Sequence, residues 1–151
     1  MTLDSSAPIY KALHQEAKTI AGAKLFTIMV LDNDAGLARR AYTSHPTDYP
    51  ATGSKPMRQD RWSAQVIDAK QSFVANSTDG FSDVFSDHPL INQLGCESVL
   101  NVPVIEQNRV VGTVNFLDGK NHFTPERVTA LENLVNAHHQ SLVTALAKEL
   151  G

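Results

Sequence analysis

Two β-rich runs near the end of the chain, residues 97–106 and 109–118, flank the dipeptide Gln107-Asn108 and predict an antiparallel β-hairpin. The register of this hairpin strongly constrains the fold, because a slip of one residue moves every side chain to the other face of the sheet. With a two-residue turn, Glu106 would pair with Arg109 and each face would carry one asparagine. With a three-residue loop, the side chains divide into one wholly apolar face and one face that carries the polar groups.

We therefore predict the three-residue loop, in which Asn108 or Arg109 adopts the left-handed conformation that such loops need. This register sets Asn101 directly opposite Asn115 in mid-strand, with about 4.5–5.5 Å between their Cβ atoms. The apolar face then consists of Leu100, Val102, Val104, Gly112, Val114 and Phe116, and the other face of Val99, Asn101, Pro103, Thr113, Asn115 and Leu117.

Helices at the two ends of the chain are predicted to cover the apolar face. Residues 6–22 have apolar positions at helical spacing, with Ser6 as the N-cap. Thr124-Pro125-Glu126 is a typical helix start, and the apolar positions after it predict one continuous amphipathic helix of about seven turns that reaches Leu150.

The segments between these helices complete the sheet and place loops on its other side. They predict strands at 25–31, 37–44 and 73–76, a short helix at 63–70, and irregular chain at 45–58 and 77–95, with a helical turn near 88–94. The predicted fold class is therefore α+β: an antiparallel sheet with the N- and C-terminal helices on one face, and loops and short helices on the other.

Size and charge narrow the functional classes. A chain of 151 residues can bury a core of its own, and we treat 1–151 as a single domain. The net charge of −3 argues against nucleic acid or an anionic membrane as a partner, and no run of about 18 apolar residues is present. A single cysteine and an N-terminus without a signal-peptide pattern indicate a cytoplasmic protein.

Polar side chains on the second hairpin face are candidates for a small-molecule pocket. Asn101, Asn115 and Thr113 would lie there together, facing Trp62 and the loops. Two facing asparagines can also satisfy each other, so a purely structural role stays open. Convergent polar groups in an apolar cavity are typical of small-molecule sites, and we assign these four residues as candidate ligand contacts.

Two further candidates lie on the strand at 37–44. Arg39 and Arg40 should point to opposite faces, and Tyr42 should share the face of Arg40. An arginine beside a tyrosine can bind a carboxylate or a phosphate through bidentate hydrogen bonds. The alternative interpretation is a solvated edge strand that carries basic residues.

Cys96 has two possible roles, as a small buried hydrophobe or as a reactive thiol. A redox role would lack a second cysteine in the chain to resolve a sulfenic acid. The six histidines show no metal-ligand spacing, and we predict neither a metal site nor a cofactor.

The hairpin and the helix after it resemble those of GAF domains. The shared pattern is a strand S-V-L-x-V-P-V, a tight turn, a strand V-V-G-T-V-x-x-L, and F-T before a long helix, here at 98–104, 110–117 and Phe123-Thr124. The resemblance covers residues 6–148, with its motifs in 94–135. It implies a sensory module for small molecules such as cyclic nucleotides, tetrapyrroles, haem or small organic acids. It also implies a pocket on the sheet face away from the terminal helices.

Individual positions differ from the catalytic and nucleotide-binding members of that family. Free methionine-(R)-sulfoxide reductases use several cysteines and acidic pocket residues, whereas the matching positions here are Val99, Asn115 and Leu117, and the only thiol is Cys96. Cyclic-nucleotide-binding members often carry an Asn-Lys pair where this chain has Asp118-Gly119.

We therefore expect a bacterial, cytoplasmic sensory or regulatory module that binds a small organic ligand, has no catalytic activity and forms a homodimer through its terminal helices. Its expected ligand contacts are Asn101, Asn115, Thr113, Trp62, Arg40 and Tyr42. The alternative is a thiol-dependent redox enzyme or sensor of the free methionine sulfoxide reductase type that uses Cys96.

Overall fold

Six strands form one sheet in the order β3-β2-β1-β6-β5-β4, and every neighbouring pair is antiparallel. The computed structural model describes residues 7–51 and 53–151, so the cap predicted at Ser6 lies outside the described residues. The elements are α1 (Ala7–Ile20), β1 (Leu25–Asp32), β2 (Leu37–Thr43), β3 (Lys55–Pro56), α2 (Arg61–Ser63), a π-helical segment (Ala64–Asp68), β4 (Phe73–Ala75), a 3₁₀ turn (Thr78–Gly80), α3 (His88–Gln93), β5 (Ser98–Glu106), β6 (Arg109–Asp118), α4 (Pro125–Ala137) and α5 (His139–Leu150).

The β5–β6 hairpin has the predicted register in its central part. Asn101 lies directly opposite Asn115. The apolar residues of the face behind them are buried in a core shared with the terminal helices. The opposite face contributes Val99 and Leu117 to a second core, beneath the loops.

The turn of this hairpin differs from the prediction. Glu106 pairs with Arg109 across a two-residue turn, so the three-residue loop is wrong. Gln107 and Asn108 have φ values of 51° and 63°, as a type I′ turn requires. Just beyond the turn, Val111 is the extra residue of a β-bulge, and this one-residue insertion restores the register that a longer loop would have produced.

Helices α1, α4 and α5 cover the apolar face, which confirms the α+β class. Thr124 caps α4 by accepting a hydrogen bond from the Arg127 backbone N–H at 3.3 Å. Helix α5 comes very close to the sheet at Gly112. A Cβ there would lie 2.6 Å from the Met29 carbonyl oxygen and 2.9 Å from Leu146 Cδ1, so glycine makes this approach possible.

The C-terminal helix is interrupted, and the prediction of one continuous helix is wrong. His138 has φ −106° and ψ 16°, and it separates α4 from α5. The two adjacent histidines at the break have partners on different elements. His138 Nε2 lies 2.7 Å from Glu16 Oε2 on α1, and His139 Nε2 lies 2.6 Å from the Ile105 carbonyl oxygen on β5. Satisfying both contacts accounts for the local departure from helical geometry.

A second bulge, in β2, separates two residues that were expected on one face. Met29 pairs with Arg40 and Ile28 with Tyr42, so Ala41 is the extra residue. Because one inserted residue shifts the alternation of side chains, Tyr42 does not share the face of Arg40, and that prediction is wrong. The Tyr42 ring instead lies on the helix side, 5.6 Å from the ring of Tyr10.

Short elements and loops lie on the other side of the sheet. The helix predicted at 63–70 lies at 61–68, α-helical in its first part and π-helical in the rest. The segment at 45–58, predicted to be irregular, contains the short strand β3, which pairs with β2. In the described ranges 7–51 and 53–151, none of the helices combines the length and the apolar character needed to cross a bilayer.

Candidate ligand pocket

A cavity of about 260 Å³ lies between the asparagine-bearing face of the sheet and the loops around α2 and α3. This volume is just below the range of about 300–1,000 Å³ found for pockets that hold drug-sized molecules, which favours a small ligand. The sheet side of the cavity is formed mainly by Thr27, Met29, Leu31, Arg40, Val99, Asn101, Asn115 and Leu117. The loop side is formed mainly by Tyr49, Met57, Trp62, Ile67, Val84, Phe85, Asp87 and Ile91.

Four polar side chains form a continuous hydrogen-bond chain along the pocket. Trp62 Nε1 donates to Asn101 Oδ1 at 2.9 Å, and Asn101 Nδ2 donates to Asn115 Oδ1 at 2.8 Å. Asn115 Nδ2 then donates to Thr27 Oγ1 at 3.1 Å. Strand register brings these groups together, since β5 sets Asn101 opposite Asn115 and β1 sets Thr27 opposite Asn115.

The direction of this hydrogen-bond chain is determined by Trp62. An indole N–H can only donate, so Asn101 must present its oxygen to Trp62 and its NH₂ group to Asn115. Both amides lie in the interior, with Asn101 3% and Asn115 9% exposed. Each uses its oxygen and one N–H in the chain, and the second N–H of each has no partner among the described residues. Both residues line the cavity, so each brings one N–H that is free for a further hydrogen bond to the pocket floor.

A cationic group forms one side of the pocket. The Arg40 guanidinium lies over the Tyr49 ring, with 3.8 Å from its Cζ to the ring centroid, and donates to the Pro50 carbonyl at 2.6 Å. Its second contact, to Asp87, is longer, at 3.5 Å. The Tyr49 hydroxyl donates a short hydrogen bond to the same carboxylate. Burial of the ring, together with the neighbouring Asp87 charge, raises the pKa of Tyr49 well above its usual value, so the hydroxyl keeps its proton.

The segment 77–95 is also held to α2. Arg61 makes two hydrogen bonds to the Asp83 carboxylate, at 2.8 and 2.7 Å, and one to the Gly80 carbonyl at 2.7 Å. The hydrogen bonds from Arg61 lower the pKa of Asp83 to about 2. The segment thus contacts α2 through the exposed Arg61–Asp83 pair and β2 through the longer Arg40–Asp87 contact.

Residues 6–140 match the family model of the GAF domain. The chain belongs to the GAF domain family. No curated protein sequence matches it.

Solved structures with the same fold include several GAF domains. The GAF domain of a two-component sensor histidine kinase from Bacillus halodurans is 18% identical, with 99% of each chain covered and a TM-score of 0.73. A GAF domain/HD domain protein from Geobacter sulfurreducens is 12% identical, with 93% of this chain and 94% of that one covered and a TM-score of 0.74. The GAF-B domain of DevS from Mycobacterium smegmatis is 17% identical, with coverage of 96% and 98% and a TM-score of 0.65.

This GAF domain brings four of the six expected ligand contacts to the cavity. Asn101, Asn115, Trp62 and Arg40 all line it. Tyr42 lies on the helix side because of the bulge in β2. Thr113 shares the asparagine face but is fully buried outside the cavity lining, and its hydroxyl has no hydrogen-bond partner among the described residues.

Cys96 does not line the cavity of the GAF domain. It is fully buried in the core beneath the loops. Burial and the nearby Asp118 charge raise the pKa of the thiol to about 11. A reactive cysteine needs the opposite environment, one that lowers the pKa and exposes the sulfur.

Most lining residues of the GAF pocket were not among the sequence candidates, and three of them form hydrogen bonds or ring contacts with the candidates: Thr27, Tyr49 and Asp87. Thr27 has a recognisable signal, since it is the only polar residue in the apolar run of 25–31. Tyr49 and Asp87 lie on loops whose sequences have no periodicity. Their contact joins positions 38 residues apart, and nothing in the local pattern indicates it.

Proposed function

We propose that this GAF domain is a sensory or regulatory module that binds a small organic ligand in the cavity and has no catalytic activity. The observation that carries the proposal is the chain from Trp62 to Thr27, which lies in an otherwise mostly apolar cavity. Apolar walls with a few convergent polar groups are typical of small-molecule sites.

The two buried amides support ligand binding over a purely structural role. A buried N–H without an acceptor costs free energy, and an apolar side chain at the same position would avoid that cost. Asn101 and Asn115 each keep one such N–H beside an accessible cavity. A ligand that accepts hydrogen bonds would satisfy both groups. The mutual satisfaction of the two asparagines is therefore only part of their role.

The names of similar proteins favour a sensory role over an enzymatic one. The relative from Bacillus halodurans belongs to a two-component sensor histidine kinase. The thiol alternative has little support, because Cys96 is buried, has a raised pKa and lies outside the cavity lining.

Ligand titration with two readouts tests the proposal. Trp62 is the only tryptophan, so its fluorescence reports directly on the cavity. A panel of anionic, neutral and cationic metabolites should contain at least one compound that changes this fluorescence and raises the melting temperature. A ligand at 100 times its Kd stabilises the fold by about 2.7 kcal/mol, or about 5–11 °C for a chain of this length.

Two variants on the same sheet face provide the comparison. Asn115→Leu should lose the response to the ligand, and Thr113→Val, which changes a residue outside the cavity lining, should keep it. A panel in which no compound shifts either signal would refute the proposal.

We also propose that two copies associate through the terminal helices. Ile20 at the end of α1 and Leu150 at the end of α5 are each 48% exposed, which is unusual for large apolar side chains in this structure. Sedimentation velocity at several concentrations should show a dimer, and the double variant Ile20→Glu/Leu150→Glu should weaken it. A wild-type chain that stays monomeric throughout would contradict this proposal.

A further inference from the structure

The charged side chains around the cavity are unequally compensated. Six charged residues line it: Arg39, Arg40, Lys55, Arg58, Asp60 and Asp87. One of them, Arg39, directs its side chain to the helix side. Both acidic groups already have partners within the protein. The Asp60 side chain accepts from the Ser63 backbone N–H in a capping box, and Asp87 accepts from Tyr49 and Arg40.

Two of the cations are poorly compensated and exposed at the cavity rim. The Lys55 residue is exposed, and its side chain has no hydrogen bond or ion pair among residues 7–51 and 53–151. The Arg58 side chain is 63% exposed, and its Nε lies as far as 4.0 Å from Asp60 Oδ2, which is long for an ion pair. Arg39, by contrast, pairs with Glu149 on the helix side at 3.1 Å. The rim therefore has a surplus of positive charge.

Arg40 is the cation best placed to meet a ligand. Its side chain is 20% exposed, and the Tyr49 ring holds the plane of the guanidinium. Of its five N–H groups, one donates to Pro50 at a short distance, and the contact to Asp87 is 3.5 Å long. A charge-assisted N–H···O bond is normally about 2.7–2.9 Å. The guanidinium thus has N–H donors that no acceptor in the protein uses. The Asp87 carboxylate also accepts a hydrogen bond from the Tyr49 hydroxyl.

We infer that the pocket is selective for a small carboxylate with an apolar body, and that Arg40 is the residue that recognises its charge. The inference rests on the proposed function. The carboxylate meets Arg40 under the positive rim, the apolar body lies against Trp62 and Phe85, and acceptor atoms of the ligand receive the unused N–H groups of Asn101 and Asn115. Lys55 and Arg58 attract the anion to the entrance.

Three probes of one shape and different charge test the inference. They are 3-phenylpropanoate, 3-phenylpropanamide and 3-phenylpropylamine, titrated while Trp62 fluorescence is recorded. The carboxylate should bind about 10- to 100-fold more tightly than the amide, because a hydrogen bond to a charged group is much stronger than a neutral one. The amine should bind least. Added salt should weaken binding of the carboxylate and leave that of the amide unchanged.

Matched variants distinguish the effect of Arg40 from that of the charged residues at the cavity rim. Arg40→Gln should bring the carboxylate and amide affinities to within about threefold of each other. Lys55→Glu changes an exposed side chain without a partner among the described residues, so stability should be unchanged, and it should weaken carboxylate binding about 3- to 10-fold. Lys11→Glu makes the same charge change on the exposed side of α1, and it should have no effect.

The outcomes distinguish this inference from the proposed function. If the amide or the amine binds as well as the carboxylate, or if the carboxylate does not bind while neutral metabolites of the panel do, the charge preference is overturned and the proposed function stands. If no compound of any charge binds, both fail. If Lys55→Glu and Lys11→Glu have equal effects, the role of the rim is overturned.

Discussion

Replacing Asn101 by leucine removes the centre of the hydrogen-bond chain in the pocket floor. Trp62 Nε1 then loses its acceptor, and Asn115 Oδ1 loses its donor. A buried polar group left unsatisfied costs about 1–3 kcal/mol. Trp62 is only half-buried, so water can replace part of its bond, whereas Asn115 is 9% exposed. We therefore expect Asn101→Leu to lower the free energy of unfolding by about 2–3 kcal/mol, or the melting temperature by about 4–12 °C.

Urea unfolding followed by far-ultraviolet circular dichroism measures this change without relying on the fluorescence of Trp62. An unchanged m-value would show that the native and unfolded states keep their compactness. Thr113→Val is the matched control, because it removes a buried hydroxyl that has no partner among the described residues. It should leave stability unchanged or raise it by about 1 kcal/mol. The double variant Asn101→Leu/Asn115→Leu should cost less than the sum of its two single changes.

Two results would refute this reasoning. One is an Asn101→Leu variant whose free energy of unfolding is within about 0.5 kcal/mol of the wild-type value. The hydrogen-bond chain would then contribute nothing measurable to stability. The other is a Thr113→Val variant that loses as much stability as Asn101→Leu. Stability would then fall on any change of polarity on this face, whether or not the hydrogen-bond chain is broken.

Three further predictions concern other parts of the fold. Cys96 should react with a thiol reagent far more slowly in the native protein than in urea, even at about pH 9, because its pKa is raised to about 11; rapid reaction at neutral pH would contradict this. Gly112→Ala should destabilise the fold by about 1–3 kcal/mol. Gly119→Ala, where a Cβ would meet nothing within 4 Å, is its control, and equal losses in urea unfolding would show that contact with α5 is not the cause. Burial lowers the pKa of His14 below 6.5, so the unfolded chain takes up the proton first and stability should fall as the pH drops below that value. His14→Gln should flatten the pH dependence of the urea midpoint, and a variant that keeps the wild-type slope would refute the assignment.

The hairpin shows what the sequence can and cannot predict. Its register was predictable, because only one alignment of β5 and β6 separates apolar from polar side chains, and Asn101 meets Asn115 as expected. The turn was not, because a longer loop and a bulge at Val111 give the same two faces. The pattern of side chains predicts which faces form. It does not predict whether a longer loop or a β-bulge produces them.

Other features depend on contacts between distant segments. The bulge at Ala41 moves Tyr42 to the helix side, yet β2 has no glycine or proline that would mark it. The break at His138 arises from partners on α1 and β5, and the apolar spacing of the helix continues through it. The contact between Tyr49 and Asp87 joins two loops. Each of these three features can be recognised only once the tertiary structure is known.

Gly112 leaves β6 without a side chain at the point where α5 packs against the sheet. Leu146 of α5 occupies the space that a side chain at this position would fill, and the Met29 carbonyl lies on the same spot. Met29 itself lines the cavity. At this point the main chain of β1 and β6 lies between Met29, which lines the pocket, and the Leu146 side chain of α5. A small displacement of β1 toward α5 therefore meets the Leu146 side chain directly, because Gly112 puts no side chain of β6 between them.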